Sequence, residues 1–131
     1  MSRWQTQRVG ATPTHHAPDG SEIFELPRTD LASLSRCVLP AGAVTHAVRH
    51  RTVEELWYVV GGRGQVWRAA DGTEEIVDVE AGTSLTIPLG VAFQFRAGPD
   101  VPLELILTTI PPWPGPDEAV LVEGRWDPRV G

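Results

Sequence analysis

The chain has 131 residues, of which 41% are hydrophobic and 21% charged, and its net charge is −6. This size and composition are typical of one folded domain and argue against a disordered chain. All 11 basic residues are arginines and they are scattered, so neither nucleic acid nor an anionic membrane is an expected partner.

The first 20 residues are polar and rich in turn-forming residues, which predicts an N-terminal arm or edge segment over 1–20. No stretch in the chain has the apolar length of a signal peptide or of a membrane span, so we expect a cytoplasmic protein. Cys37 is the single cysteine, which rules out an internal disulfide and favours a buried free thiol.

Nine short runs rich in Val, Ile, Thr and aromatic residues follow one another, with many of the 13 glycines and 12 prolines between them. Such runs predict strands, and their regular spacing without intervening helices predicts an all-β sandwich, jelly roll or small barrel. In chain order the runs are SEIFEL, SLSRCVL, AVTHAVRH, EELWYVV, GQVWRAA, EEIVDV, SLTIPL, VAFQFR and LELILTTI.

Two turns between these runs and one proline-rich segment after them can also be predicted. Asp71-Gly72 is typical of a two-residue hairpin loop, because both of its central positions require positive φ. The GGRG sequence predicts a second hairpin, between strands at 54–60 and 64–70. The PPWPG sequence is too rich in proline for a central strand, so we expect a barrel over 21–112 and a C-terminal cover over 113–131.

The middle of the chain carries two spaced motifs. The first has His50 and Glu55 between two glycines, and the second has glycine, proline and glycine at fixed intervals; the framework residues are Gly42, Gly62, Gly82, Pro88 and Gly90. Both motifs resemble those of the cupin superfamily, in particular of small single-domain bacterial cupins. The resemblance implies a single-domain jelly-roll barrel, the double-stranded β-helix, with little helix.

The resemblance also implies where a metal would bind, and here the chain departs from the family. The cupin motifs supply three histidines and a glutamate, but Val48 and Phe93 stand where two of the histidines are expected. His50 and Glu55 are the two ligands that are kept. The metal-binding motifs are therefore degenerate, and we predict no required cofactor.

The family register turns alternate residues of the motif strands toward the barrel interior. It predicts that His50 and Glu55 face inward as candidate catalytic residues. The candidate ligand-binding residues on the same walls are His46, Val48, Trp57, Phe93 and Phe95. Trp67 and Trp113, by contrast, are interpreted as structural residues on a sheet face or a subunit interface.

A divalent transition metal remains an open alternative. If a metal binds, its expected ligands are His46, His50 and Glu55, although in a regular strand the Cα atoms of His46 and His50 lie roughly 13 Å apart. A bulge near His46, or a contribution from His15 or His16 of the arm, is needed to complete such a site.

Three functions are compatible with this pattern. The first is binding of a small organic molecule in an apolar, aromatic pocket. The second is metal-free isomerase, epimerase or cyclase chemistry, with His50 as acid or base and Glu55 orienting its ring. The third is a metal-dependent isomerase or dioxygenase. We also expect a homodimer that forms through edge strands, with the LELILTTI strand and exposed tryptophans at the interface.

Overall fold

The computed structural model describes residues 3–130, which form eleven strands and one short 3-10 helix, Pro116–Glu118. No helix among these residues is long and apolar enough to cross a membrane. Each of the nine predicted strands has a counterpart, although the third, predicted over 43–50, is a strand only at Val48–His50. Two short strands lie outside the nine, one at each end. In chain order the strands are β1 (His15–His16), β2 (Glu22–Arg28), β3 (Ser33–Leu39), β4 (Val48–His50), β5 (Glu54–Gly61), β6 (Arg63–Ala70), β7 (Thr73–Glu80), β8 (Ser84–Ile87), β9 (Ala92–Ala97), β10 (Leu103–Ile110) and β11 (Ala119–Leu121).

The strands form two antiparallel sheets. The six-stranded sheet has the order β1-β2-β3-β10-β5-β8, and the five-stranded sheet has the order β11-β4-β9-β6-β7. Successive strands often lie in opposite sheets, so the chain crosses repeatedly from one layer to the other. This arrangement confirms the predicted all-β jelly-roll fold.

The core fills the space between the two sheets. Burial alternates strictly along β10, where Leu103, Leu105 and Leu107 face inward, and along β5, where Trp57 and Val59 do the same. Each such side chain contributes roughly 1.5–3 kcal/mol when fully removed from water. The period-2 pattern of the sequence therefore fixes which face of each strand is buried.

The Asp71-Gly72 hairpin is confirmed. Strands β6 and β7 pair in register from Ala70↔Thr73 to Arg63↔Glu80, and the loop between them has positive φ at both positions, 52° and 78°. These values are those that a two-residue hairpin with the right-handed strand twist requires.

The predicted GGRG hairpin is wrong. Strands β5 and β6 exist at the expected positions, but they lie in opposite sheets, and Gly61 pairs with Glu104 of β10. Gly62 has φ of 78°, and a Cβ atom there would lie 2.1 Å from the carbonyl oxygen of Pro102. The glycines therefore serve a tight crossing between the sheets.

The C-terminal segment packs against the five-stranded sheet. Strand β11 pairs with β4, and the backbone of Arg129 is hydrogen-bonded in both directions to Val44. Between these contacts the chain lies over the buried Gln94 of β9, and Gly124 lies so close that a Cβ atom there would be 2.5 Å from the Gln94 Oε1 atom. The last part of the described chain thus closes one face of the fold.

Candidate functional site

A cavity of about 80 Å³ lies between the sheets, next to the edge formed by β1 and β2. Exposed side chains of β2, Glu25 and Arg28, line its outer end, and buried side chains of β4, β5 and β9 line its inner end. A buried water needs on the order of 10–15 Å³ of such space, so the cavity has room for several non-hydrogen atoms between the sheets.

His50 and Glu55 meet at the inner end of this cavity. The two residues are 5% and 6% exposed, and the His50 Nδ1 atom lies 3.8 Å from the Glu55 Oε2 atom. The other carboxyl oxygen, Oε1, accepts a hydrogen bond of 2.7 Å from the indole Nε1 of Trp57. The inward orientation predicted for all three residues is therefore the one observed.

The turn between His50 and Glu55 is fixed by hydrogen bonds to a third residue, Glu118. Residues 51–53 connect β4 to β5, and the buried carboxylate of Glu118 accepts hydrogen bonds from the Thr52 and Val53 amides and the Thr52 hydroxyl, at 2.6–2.8 Å. Burial raises the pKa of Glu118, but these bonds outweigh it and leave the pKa below its usual value. The ionised Glu118 thus fixes the loop that separates His50 from Glu55.

Burial shifts both members of the pair toward their uncharged forms. Removal from water raises the pKa of Glu55 to about 8, and it lowers the pKa of His50. The Trp57 hydrogen bond opposes the shift at Glu55 without cancelling it. Near neutral pH the cavity therefore holds a carboxylic acid beside a neutral imidazole.

The His50 ring is packed by aromatic side chains but lacks a hydrogen-bond partner. Its centroid lies 5.3 Å from that of Phe93 and 5.5 Å from that of Trp113, both in edge-on geometry. The Nδ1 atom is buried and has no hydrogen bond within residues 3–130. An unpaired buried nitrogen costs roughly 1–3 kcal/mol, so a partner supplied by a ligand would be favourable.

Trp113 was interpreted as a structural residue, and the structure places it in the cavity wall instead. Its backbone is anchored on both sides: the amide donates to the Ser33 hydroxyl at 3.0 Å, and the carbonyl accepts from Arg28 at 3.1 Å. The proline-rich segment that was predicted as a cover thus contributes an aromatic ring to the site. Trp67, the other tryptophan in that interpretation, does not line the cavity.

The cavity is also lined by a second acidic group, which was not predicted from the sequence. Asp19 is 8% exposed, and its Oδ1 atom accepts hydrogen bonds from the backbone amide and the hydroxyl of Ser21. Burial raises the pKa of Asp19, although both Ser21 bonds oppose this. The thiol of Cys37 lies in the same wall, buried as predicted, and burial raises its pKa as well.

His46 does not take the place predicted for it. The alternation that should have turned it inward requires a regular strand, but β4 begins only at Val48, and Ala43, Val44 and Thr45 are buried in succession. The His46 amide donates to the Asp19 carbonyl at 2.9 Å, and the residue is absent from the cavity lining. Val48, Trp57, Phe93 and Phe95 do line it.

The donors at this site do not fit a metal ion. Val48 and Phe93 are directly paired in register between β4 and β9, so two apolar side chains occupy the wall where further ligands are needed. Of the arm histidines, His15 reaches the cavity but lies against Glu25 at 3.2 Å, and His16 is exposed. Within residues 3–130 no three His, Cys, Asp or Glu side chains are grouped so that they could hold a metal ion.

The geometry and the motifs agree with comparisons to known proteins. A family model described as the cupin domain matches residues 35–109, and the chain belongs to this family. An uncharacterized protein of Methanocaldococcus jannaschii is 29% identical over 108 residues, which cover 79% of this chain and 83% of the relative.

Solved structures show the same fold. A protein from Bacillus halodurans is 20% identical with a TM-score of 0.65, over 78% of this chain and 76% of that chain. CapF, in complex with the inhibitor 3-isopropenyl-tropolone, is 18% identical with a TM-score of 0.68. That match covers 81% of this chain, which spans 33% of the CapF chain. At these identities the likeness concerns the fold alone.

Proposed function

We propose that this protein binds a small organic molecule in the cavity between its sheets, without a required metal. The observation that carries the proposal is a cavity with aromatic walls whose lining includes His50, a residue with a buried and unpartnered Nδ1 atom. Apolar walls with a few convergent polar groups are typical of small-molecule sites. His50 and Glu55 supply the polar contacts, and Trp57, Phe93 and Trp113 supply the apolar ones.

Filling the cavity should abolish binding. We expect that a panel of small cyclic alcohols, acids and amines contains compounds that raise the melting temperature in a concentration-dependent way. Ser35 lies in the cavity wall and is half-buried, so Ser35→Trp should place an indole in the space and weaken binding at least tenfold. Binding is measured by thermal shift and by ligand-observed NMR.

Thr73→Trp is the matched control, because Thr73 is exposed on the edge strand β7. It should leave the affinity unchanged. Compounds that bind both tryptophan variants as tightly as the wild type would show that they occupy some other surface. A wild-type protein that binds nothing in the panel would contradict the proposal for ligands of this size.

Acid–base catalysis is the second candidate function. It is favoured by the approach of His50 Nδ1 to Glu55 Oε2 at 3.8 Å, together with a pKa of about 8 at Glu55. A carboxylic acid that ionises near neutral pH beside a neutral imidazole is suited to moving a proton, as isomerases, epimerases and cyclases require. Metal-dependent chemistry is not proposed, because the donors described above do not fit a metal.

A homodimer remains part of the proposal, but its surface differs from the one expected. LELILTTI forms β10, which lies inside the six-stranded sheet between β3 and β5 and therefore cannot be an edge. The outer face of that sheet instead exposes Leu56, Tyr58 and Val60 of β5, at 49%, 52% and 41%. Contiguous exposed apolar side chains of this kind mark association surfaces.

Charging that face should therefore dissociate the dimer. We expect Tyr58→Glu to sediment as a monomer at concentrations at which the wild type sediments as a dimer, because the new carboxylate would be buried against apolar groups. Ile76→Glu changes an apolar residue of similar exposure, 40%, on the other sheet and should leave the dimer intact. A wild type that is monomeric at micromolar concentration would contradict the proposal.

The proposed location is the cytoplasm. Cys37, the single cysteine, is a buried free thiol. A fold without disulfides is typical of a reducing compartment.

A further inference from the structure

Resting on the proposed function, we infer that the ligand is a compact organic amine, bound as its ammonium ion. Its N–H groups lie against Glu55 and His50, and its apolar part lies against Trp57, Phe93 and Trp113. The charges, the unused polar atoms and the walls of the cavity each lead to this class of ligand.

The ionisable groups at the inner end of the cavity favour a cation. Two carboxyl groups line it there, Asp19 and Glu55, and both are less than a tenth exposed. The basic side chain of the lining, Arg28, is exposed at the outer end and donates to the Trp113 carbonyl. An anion at the inner end would face two acidic groups without a fixed positive charge beside it, whereas an ammonium ion would face its natural partners.

The unused hydrogen-bonding atoms define how the amine is oriented. At Asp19, Oδ1 already accepts two bonds from Ser21. At Glu55, Oε1 accepts the Trp57 bond, while Oε2 lies 3.8 Å from the His50 Nδ1 atom. A nitrogen placed beside these two atoms can donate one N–H to Glu55 Oε2 and another to a neutral His50 Nδ1. Primary and secondary ammonium ions have the two donors that this requires.

The aromatic rings suit the remainder of such a ligand. Trp57 packs edge-on against Phe93 at 5.6 Å, and Phe93 and Trp113 flank the His50 ring on two sides. An ammonium ion within about 6 Å of aromatic faces gains roughly 0.5–2 kcal/mol, more when water is excluded. The hydrocarbon part of the ligand is removed from water by the same walls.

Binding changes the proton content of the site. Below about pH 8, where Glu55 of the free protein keeps its proton, binding releases that proton to solvent, and the resulting carboxylate pairs with the ammonium ion. The groups that face it are His50 of β4, Asp19 before β2, Cys37 of β3 and Glu118 of the 3-10 helix. Experiments are therefore best performed near pH 8.5, where a carboxylate and an ammonium ion coexist.

Three probes of similar size and shape separate the ligand classes: benzylamine, benzyl alcohol and benzoate. Isothermal titration of the full chain at pH 8.5 should show benzylamine binding at least tenfold more tightly than benzyl alcohol, and benzoate binding more weakly than either. Benzyl alcohol or benzoate binding as tightly as benzylamine would overturn the inference and leave the proposed function intact. Failure of all three probes to bind would overturn both.

Glu55→Gln tests the assignment of the charged partner. The amide oxygen can still accept the Trp57 bond, so the fold should be retained, but the tenfold preference for benzylamine over benzyl alcohol should disappear. Glu54→Gln is the matched control, since Glu54 is adjacent on β5 and exposed on the opposite face. A preference that survives Glu55→Gln, or that is lost in Asp19→Asn alone, would overturn the assignment of Glu55.

Discussion

Raising the pH from 5 to 8 should destabilise the folded protein through Glu55, by an amount on the order of 4 kcal/mol at most. The unfolded carboxyl ionises near 4.5, whereas the folded carboxyl, buried beside His50 and Trp57, keeps its proton up to about pH 8. Between these values the folded state binds the additional proton, so the free energy of unfolding falls as the pH rises. Above pH 8 both states are ionised and the contribution becomes constant.

Glu55→Gln removes this dependence and isolates it from other groups. Asp19, whose pKa is also raised, acts in the same direction, and His50, whose pKa is lowered, acts in the opposite direction below its unfolded value of 6.5. Both remain in the variant, so the difference between the two proteins reports mainly on Glu55. Urea unfolding at pH 5, 6.5 and 8 should show that the variant gains stability over the wild type as the pH rises, because glutamine has no proton to lose.

Glu54→Gln serves as the control, because Glu54 is exposed and its replacement should shift the whole profile by no more than a few tenths of a kcal/mol. Wild-type and Glu55→Gln curves that remain parallel from pH 5 to pH 8 would show that Glu55 ionises normally in the folded protein. In that case solvent reaches the pair more freely than its 5% and 6% exposure indicates.

The strands could be predicted from sequence because their signals are local. A strand with one buried face alternates in polarity, as Leu103, Leu105 and Leu107 show, and the Asp71-Gly72 loop carries its own φ requirement. The partner of each strand is not a local property. The GGRG segment was interpreted as a hairpin since its glycines permit a tight turn, but the same freedom permits the crossing from β5 to β6 that the structure contains.

The site was predictable to the extent that it lies on regular strands. His50, Trp57 and Phe93 face the interior as the alternation predicts, whereas His46 does not, because the chain before β4 is irregular. The positions of Asp19 and Trp113 in the cavity wall were not predicted, for a different reason. Each lies in a segment rich in proline or glycine and reaches the cavity only through the folding of the whole chain.

The two metal-binding motifs likewise contain one part that the sequence predicts and one part that it does not. Their glycine and proline framework predicted the barrel correctly, because these residues are required by the turns of the fold, as the positive φ of Gly42, Gly82 and Gly90 shows. The ligand positions are independent of the framework. At Val48 and Phe93 apolar side chains now face each other across β4 and β9, so the barrel persists with a different interior.

Replacing Gln94 by leucine should destabilise the protein by on the order of 3–5 kcal/mol, the largest effect that we expect of any single polar substitution. Gln94 is fully buried on β9, at 0% exposure, and its amide is saturated. Oε1 accepts from the backbone amides of Arg125 and Trp126, and Nε2 donates to the carbonyls of Thr45 and Trp126. The side chain thus connects the C-terminal segment to the sheet, because its amide bonds to backbone groups of both, as a neighbouring strand would.

Leucine has nearly the same volume but leaves those four backbone groups without partners. Loss of the segment should also free Arg96, whose guanidinium lies 4.2 Å from the Trp126 ring, so the fluorescence of Trp126 should change together with the unfolding midpoint.

Gln65→Leu is the matched control, because Gln65 also bonds through both amide atoms, to Arg96 and Asp78, but on the partly exposed surface of β6. Chemical denaturation should show a loss of less than about 1 kcal/mol for Gln65→Leu. Equal losses for the two variants would mean that the C-terminal segment does not depend on Gln94 for its attachment.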